Sequence, residues 1–93
     1  MAPATLTREI VIVNKLGLHV RAAAKLVALA SRFACDIRLV NNNREANAKS
    51  IMGIMMLGAA KGTRLQVCAT GEDAEQALAS LEELIQQRFG EGE

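Results

Sequence analysis

Tryptophan and tyrosine are missing from this 93-residue sequence, and Phe33 and Phe89 are its only aromatic residues. An RNA-binding sheet needs aromatic side chains on which bases can stack, and this chain has almost none to offer. Charge of one sign is equally scarce. Against 11 Lys and Arg stand 10 Asp and Glu, a net charge of +1, too little to drive the chain onto nucleic acid or an anionic membrane. No apolar run approaches the roughly 20 residues that span a bilayer, and the stretch up to Glu9 has no apolar signal-peptide core. These shortages predict a cytoplasmic protein without membrane insertion or a nucleic-acid partner. Cys35 and Cys68 lack metal-ligand spacing, and with a single histidine they cannot complete a four-ligand zinc site. Two reduced thiols, no metal and no cofactor are expected.

What the chain has in quantity is aliphatic side chain. Just over half its residues are apolar, so the core is made of Leu, Ile, Val, Ala and Met. The length suits one compact domain over residues 1–93.

Hydrophobic periodicity divides the chain. Leu6 to Val13 is rich in β-branched residues and reads as a strand. Asn14-Lys15-Leu16-Gly17 breaks it. From Val20 to Phe33, Ala23, Leu26, Val27, Ala30 and Phe33 recur at helical spacing. Cys35 to Val40 alternates as a half-buried strand, Asn41-Asn42-Asn43 turns the chain, and Arg44 to Ala48 returns as a short polar strand. Ser50 to Leu57 reads as a short helix capped by Ser50. Gly58 and Gly62 bracket a loop before a strand at Thr63 to Thr70, whose alternation points Cys68 away from the core. Asp73 reads as the cap of a last helix, with Gln76 completing a capping box. Ala74, Ala77, Leu78, Leu81, Leu84, Ile85 and Phe89 form its apolar face, and residues 90–93 read as a frayed tail. The order β-α-β-β-α-β-α predicts an α+β fold, a four-stranded antiparallel sheet with three helices on one face. The other face meets water through Thr7, Glu9, Arg38, Arg64 and Gln66.

The only histidine, His19, falls at the start of the first helix. A helix start presents unpaired backbone N–H groups and the positive end of the helix dipole, which together hold an anion. Neutral imidazole is available near pH 7 and forms covalent intermediates. Arg21, two residues on, brings paired donors suited to phosphate oxygens. Nucleophile, anion cradle and counter-charge therefore lie side by side. A lone histidine near a helix end is also an ordinary cap or surface residue, and spacing alone leaves both readings open.

Two longer motifs are more specific. Gly17-Leu18-His19-Val20-Arg21, followed by Ala22-Ala23-Ala24-Lys25-Leu26-Val27, resembles the active-site segment of the HPr family, the histidine-containing phosphocarriers of the bacterial phosphotransferase system. Lys49-Ser50-Ile51-Met52-Gly53-Ile54-Met55-Met56-Leu57-Gly58 resembles the second signature of that family, around its regulatory serine, and Ala60-Lys61-Gly62 also matches. The resemblance covers nearly the whole chain and implies the open-faced β-sandwich of the family. It implies that His19 accepts a phosphoryl group on Nδ1 from phospho-enzyme I and passes it to an enzyme II A domain. Arg21 matches the arginine beside the phosphohistidine, Gly17 and Leu18 match residues that position the ring, and Val20 stands at a further position of the phosphate cradle. Such a chain is a stoichiometric phosphoryl acceptor and donor rather than an enzyme, and a monomer suits a shuttle. Two positions depart from the family: Val20 replaces a small residue, and Ala22 replaces a proline that would stiffen the first helical turn. Asn14-Lys15-Leu16-Gly17 resembles the nitrogen-related branch, whereas Lys49-Ser50-Ile51-Met52-Gly53 resembles the sugar-transport branch of Gram-positive bacteria.

The short middle helix is almost wholly apolar, and two turns can bury only one stripe. Spacing assigns Ile54 and Leu57 to the core and leaves Met52 and Met55 outside. Methionine suits a surface that meets several partners. The matching positions in the family contact enzyme I and enzyme II domains, so the resemblance implies a docking patch of Ile51, Met52 and Met55, with Arg21 and Lys25 as a basic rim. It also implies that Ser50 is a substrate of an HPr kinase/phosphorylase. A purely regulatory HPr-like protein, acting through Ser50 and protein binding, is the rival, and such a protein is expected to lack the histidine that this chain has.

Overall fold

A computed structural model describes residues 4–92. Strand β1 (Thr5–Val11) is followed by helix α1 (Val20–Ala30), strands β2 (Asp36–Asn41) and β3 (Arg44–Asn47), helix α2 (Ile51–Met56), strand β4 (Arg64–Thr70) and helix α3 (Ala74–Gln86). A short 3₁₀ turn, Arg88–Gly90, comes last. The strands form one antiparallel sheet in the order β1-β4-β2-β3. This is the α+β fold that the periodicity predicts, and the open-faced sandwich that the resemblance implies.

Register explains why the sheet has one dry face. Leu39 pairs with Val67 and Ile37 with Ala69, and all four are buried. Thr7 pairs with Cys68 and Glu9 with Gln66 on the opposite face, where the Thr5 and Thr70 hydroxyls hydrogen-bond at 2.7 Å. Period-two alternation thus sorts each strand into a core side and a wet side. Cys35 is buried and Cys68 half-buried, on opposite sides as the alternation requires. Burial pushes the Cys35 thiol up to about 11, with Asp73 adding to the effect. Arg8 stands among the inward positions of the edge strand β1 and reaches Glu82 of α3 at 2.9 Å, an ion pair at the rim of the core. The buried cluster draws on all four strands and three helices, with Ala23, Leu26, Ile54, Leu78, Leu81 and Ile85 from the helices. Among the described residues no helix is long and apolar enough to cross a membrane.

Three local expectations are corrected. The helical pattern runs to Phe33, but α1 ends at Ala30. The amides of Arg32 and Phe33 bond back to Leu29 and Ala30, tightening the last turn, and the next two amides leave the helix altogether. Those of Ala34 and Cys35 donate to the Asp73 carboxylate at 2.8 and 2.9 Å. That is also why Asp73 builds no capping box with Gln76. Its side chain makes no cap hydrogen bond to α3, because it is committed across the fold to the turn after α1. The Ala34 amide foremost, then Cys35, hold its carboxyl below the usual range. Gly71 lets the two segments meet, since a Cβ there would stand 2.8 Å from that of Cys35. Finally, Phe89 is buried as its spacing from Ile85 suggests, but not by continuing α3. Arg88 and Phe89 adopt positive φ of 57° and 55°, turning the chain back over the start of α1.

Candidate functional site

The chain leaves β1 into a loop clamped at three points. Ile12 exchanges backbone hydrogen bonds with Thr63 and Gly62 at 2.9 and 2.7 Å, and the Leu18 amide donates to Ala59 at 2.9 Å. Gly17 has φ of +66°, and a Cβ there would lie 2.5 Å from the Ala59 carbonyl oxygen, so only glycine lets the loop lie so close. Asn14 is fully buried and its amide nitrogen donates to the Gly17 carbonyl at 2.8 Å. These contacts tie the loop to residues 59–63, and it ends at His19.

His19 is the N-cap of α1, with extended backbone angles. Its carbonyl accepts from Ala23 at 2.8 Å, opening the helix. Its Nδ1 accepts a long bond, 3.3 Å, from the backbone amide of Arg21. A backbone amide can only donate, so Nδ1 is the unprotonated nitrogen and its lone pair faces the first helical turn. Nε2 carries the proton and is paired with the carboxylate of Glu91. The other Glu91 oxygen accepts from the Asn14 amide at 3.1 Å. The hydrogen bond from His19, opposed by partial burial and aided by Asn14, holds the Glu91 carboxyl below the usual range. The half-buried ring borders an open depression of about 540 Å³, lined also by Leu16, Val20, Arg21 and Glu91. A tetrahedral anion on Nδ1 would meet backbone N–H groups, the helix dipole and, by rotation of an exposed side chain, the Arg21 guanidinium.

The structure brings Gly17, Leu18, His19, Val20 and Arg21 together in this way, with Leu18 buried beneath the ring's segment and Val20 exposed. Lys25 is exposed, but its ammonium donates to the Phe89 carbonyl, so its head is anchored beside the site. Ser50 caps α2, accepting from the Gly53 amide at 3.2 Å. Ile54 and Leu57 are buried, whereas Ile51, Met52 and Met55 are exposed, Met52 by 68%. Met56, which sequence spacing does not single out, is exposed by 69%. The frayed-tail expectation for residues 90–93 is corrected at Glu91, which packs on His19; Glu93 lies outside the described residues. Nothing local marks Glu91, because Gly90-Glu91-Gly92 has the composition of a loose end. Asn14 reads locally as a strand breaker, and its burial comes from the loop folding over it.

Comparison with known proteins shows the family. The family model described as "PTS HPr component phosphorylation site" matches residues 6–87. The chain belongs to the HPr family. Phosphocarrier protein HPr of Pseudomonas aeruginosa is 52% identical over 86 residues, covering 91% of this chain and 96% of that protein. Phosphocarrier protein NPr of Shewanella violacea is 41% identical over 86 residues, covering 92% and 94%. The crystal structure of an HPr from Thermoanaerobacter tengcongensis superposes with a TM-score of 0.91 at 44% identity, covering 95% of this chain and 99% of that one. HPr proteins are phosphocarriers of the phosphotransferase system, and this chain shares their fold across nearly its whole length.

Proposed function

We propose that residues 1–93 form a single phosphocarrier domain that takes a phosphoryl group from phospho-enzyme I onto His19 and gives it to enzyme II A domains. The observation that carries this reading is the Nδ1 lone pair of His19 turned toward the opening amides of α1, with the Arg21 amide at 3.3 Å. The Nδ1 lone pair attacks phosphorus, the bond to the donor nitrogen breaks, and its electron pair returns to the donor. The transferred group then sits where backbone N–H groups and Arg21 offset its charge. Transfer onward reverses these steps, so the rate is governed by positioning and electrostatics inside each protein pair. No cofactor enters, and a cytoplasmic monomer fits such a shuttle.

The exposed side chains Ile51, Met52 and Met55 of α2, which packs against α1, give partner domains an apolar surface, with Arg21 and Lys25 at its rim. Ser50 is the proposed site of an HPr kinase/phosphorylase. A phosphate there adds roughly −1.5 to −2 charges at a helix start, which tolerates them, while repelling an acidic partner.

Incubation with phosphoenolpyruvate and enzyme I tests the central step. An acid-labile phosphate is expected on the wild type and none on His19→Ala. Label that persists in His19→Ala overturns the assignment.

A further inference from the structure

Glu91 lies beyond residues 6–87, the span matched by the family model, yet it makes the closest polar contact to the proposed acceptor. We infer that Glu91 is a positioning residue for phosphoryl transfer, its carboxylate holding the proton of His19 on Nε2 so that Nδ1 presents its lone pair to the incoming phosphorus. This rests on His19 being the acceptor.

The contact is built from three sides. The Arg88–Phe89 turn, with both residues at positive φ, folds residues 90–92 back over the start of α1. Lys25 fixes that turn by donating to the Phe89 carbonyl. Buried Asn14 then spans the site, its amide nitrogen donating both to Gly17 and to Glu91. Both neighbours are acceptors, so the orientation of the Asn14 amide is fixed. One Glu91 oxygen is thereby held by Asn14, and the other is left to accept from Nε2.

Attack by Nδ1 forms a nitrogen–phosphorus bond as the bond from phosphorus to the donor nitrogen of phospho-enzyme I breaks and its electron pair returns to the donor, while the Nε2 proton stays in place. The ring then carries a positive charge that it did not carry before. A carboxylate already seated on Nε2 offsets that charge as it develops, the kind of preorganised help that acts on the reaction rather than on partner binding. In the return direction the same proton remains on Nε2, so the ring departs neutral.

The test uses the full chain with Glu91→Ala and Glu91→Gln, phospho-enzyme I as donor, and ¹⁵N-histidine NMR. Glu91→Ala is expected to lower kcat for phosphoryl acceptance on the order of 10- to 100-fold, the scale of a lost orienting contact, with KM for enzyme I unchanged. The hydrogen-bonded Nε2–H signal should vanish in Glu91→Ala and weaken in Glu91→Gln, whose single amide oxygen cannot accept from both Asn14 and Nε2 as the two carboxylate oxygens do. Glu91→Gln, having lost the charge, should fall between the two in rate. A Glu91→Ala chain as fast as wild type, one slowed through KM alone, or one that keeps the Nε2–H signal overturns the inference. A wild type that takes no label on His19 overturns the phosphocarrier reading itself, a result distinguishable from all of these.

Discussion

At the scale of single residues, the site depends on how closely a loop can lie against its neighbours. Gly17 occupies left-handed backbone space, and the Ala59 carbonyl fills the volume that any side chain would need. Gly17→Ala should cost roughly 1–3 kcal/mol from the backbone conformation alone, read as a lowered urea midpoint. It should also slow phosphoryl acceptance, because His19 is carried on the displaced loop. A midpoint equal to wild type would show that the loop relaxes freely. The sequence exposes this position as a turn glycine, but the clash that makes it obligatory comes from residue 59, far along the chain. Asn14 behaves likewise: polar and unremarkable in sequence, it is fully buried in the fold because the Gly17 carbonyl and Glu91 accept from its amide.

At the scale of elements, α2 shows how little helix is needed to present a surface. Six residues can bury one stripe, and Ile54 takes it, with Leu57 just beyond as the C-cap. Ser50 closes the N-terminal end by accepting from Gly53. Aspartate caps helices as well as serine does, so Ser50→Asp should leave α2 folded while adding one negative charge, part of the roughly −1.5 to −2 that a phosphoserine would bring. The expected outcome is an unchanged circular dichroism spectrum and a rate of phosphorylation by enzyme I reduced roughly tenfold, about 1.4 kcal/mol of lost encounter energy. An unchanged rate would count against regulation through Ser50. The helix α1 illustrates the reverse limit of local reading. Its apolar spacing continues to Phe33, yet it stops at Ala30 because Asp73 takes the amides of Ala34 and Cys35.

At the scale of the whole molecule, that carboxylate is a tie between the turn after α1 and the start of α3. Its depressed pKa means that the ionised form is favoured by folding. The stability it contributes is therefore present above the ordinary carboxylate range and lost as pH falls through the lower, folded-state value. Asp73→Ala should lower Tm near neutral pH, with the gap from wild type narrowing in acid; thermal unfolding followed at several pH values checks this. Because Asp73 stands apart from the residues lining the His19 depression, the variant should accept phosphate at the wild-type rate at temperatures where it is folded. An equal Tm at every pH would show the tie to be ornamental.

Alternation by two and by three to four residues was enough to specify the strands, the helices, their order and the dry face of the sheet, since those patterns are local geometry written in side-chain polarity. The placement of His19 at a helix start was equally legible, because a cap is set by its immediate neighbours. What the sequence could not contain is the use to which polar groups are put across the fold. Asp73 reads as a cap and serves another segment, Phe89 reads as helix and enters the core through a left-handed turn, and Glu91 reads as tail and meets the imidazole. Each depends on a partner distant in sequence, and a hydrogen bond is satisfied by whatever three-dimensional packing brings near.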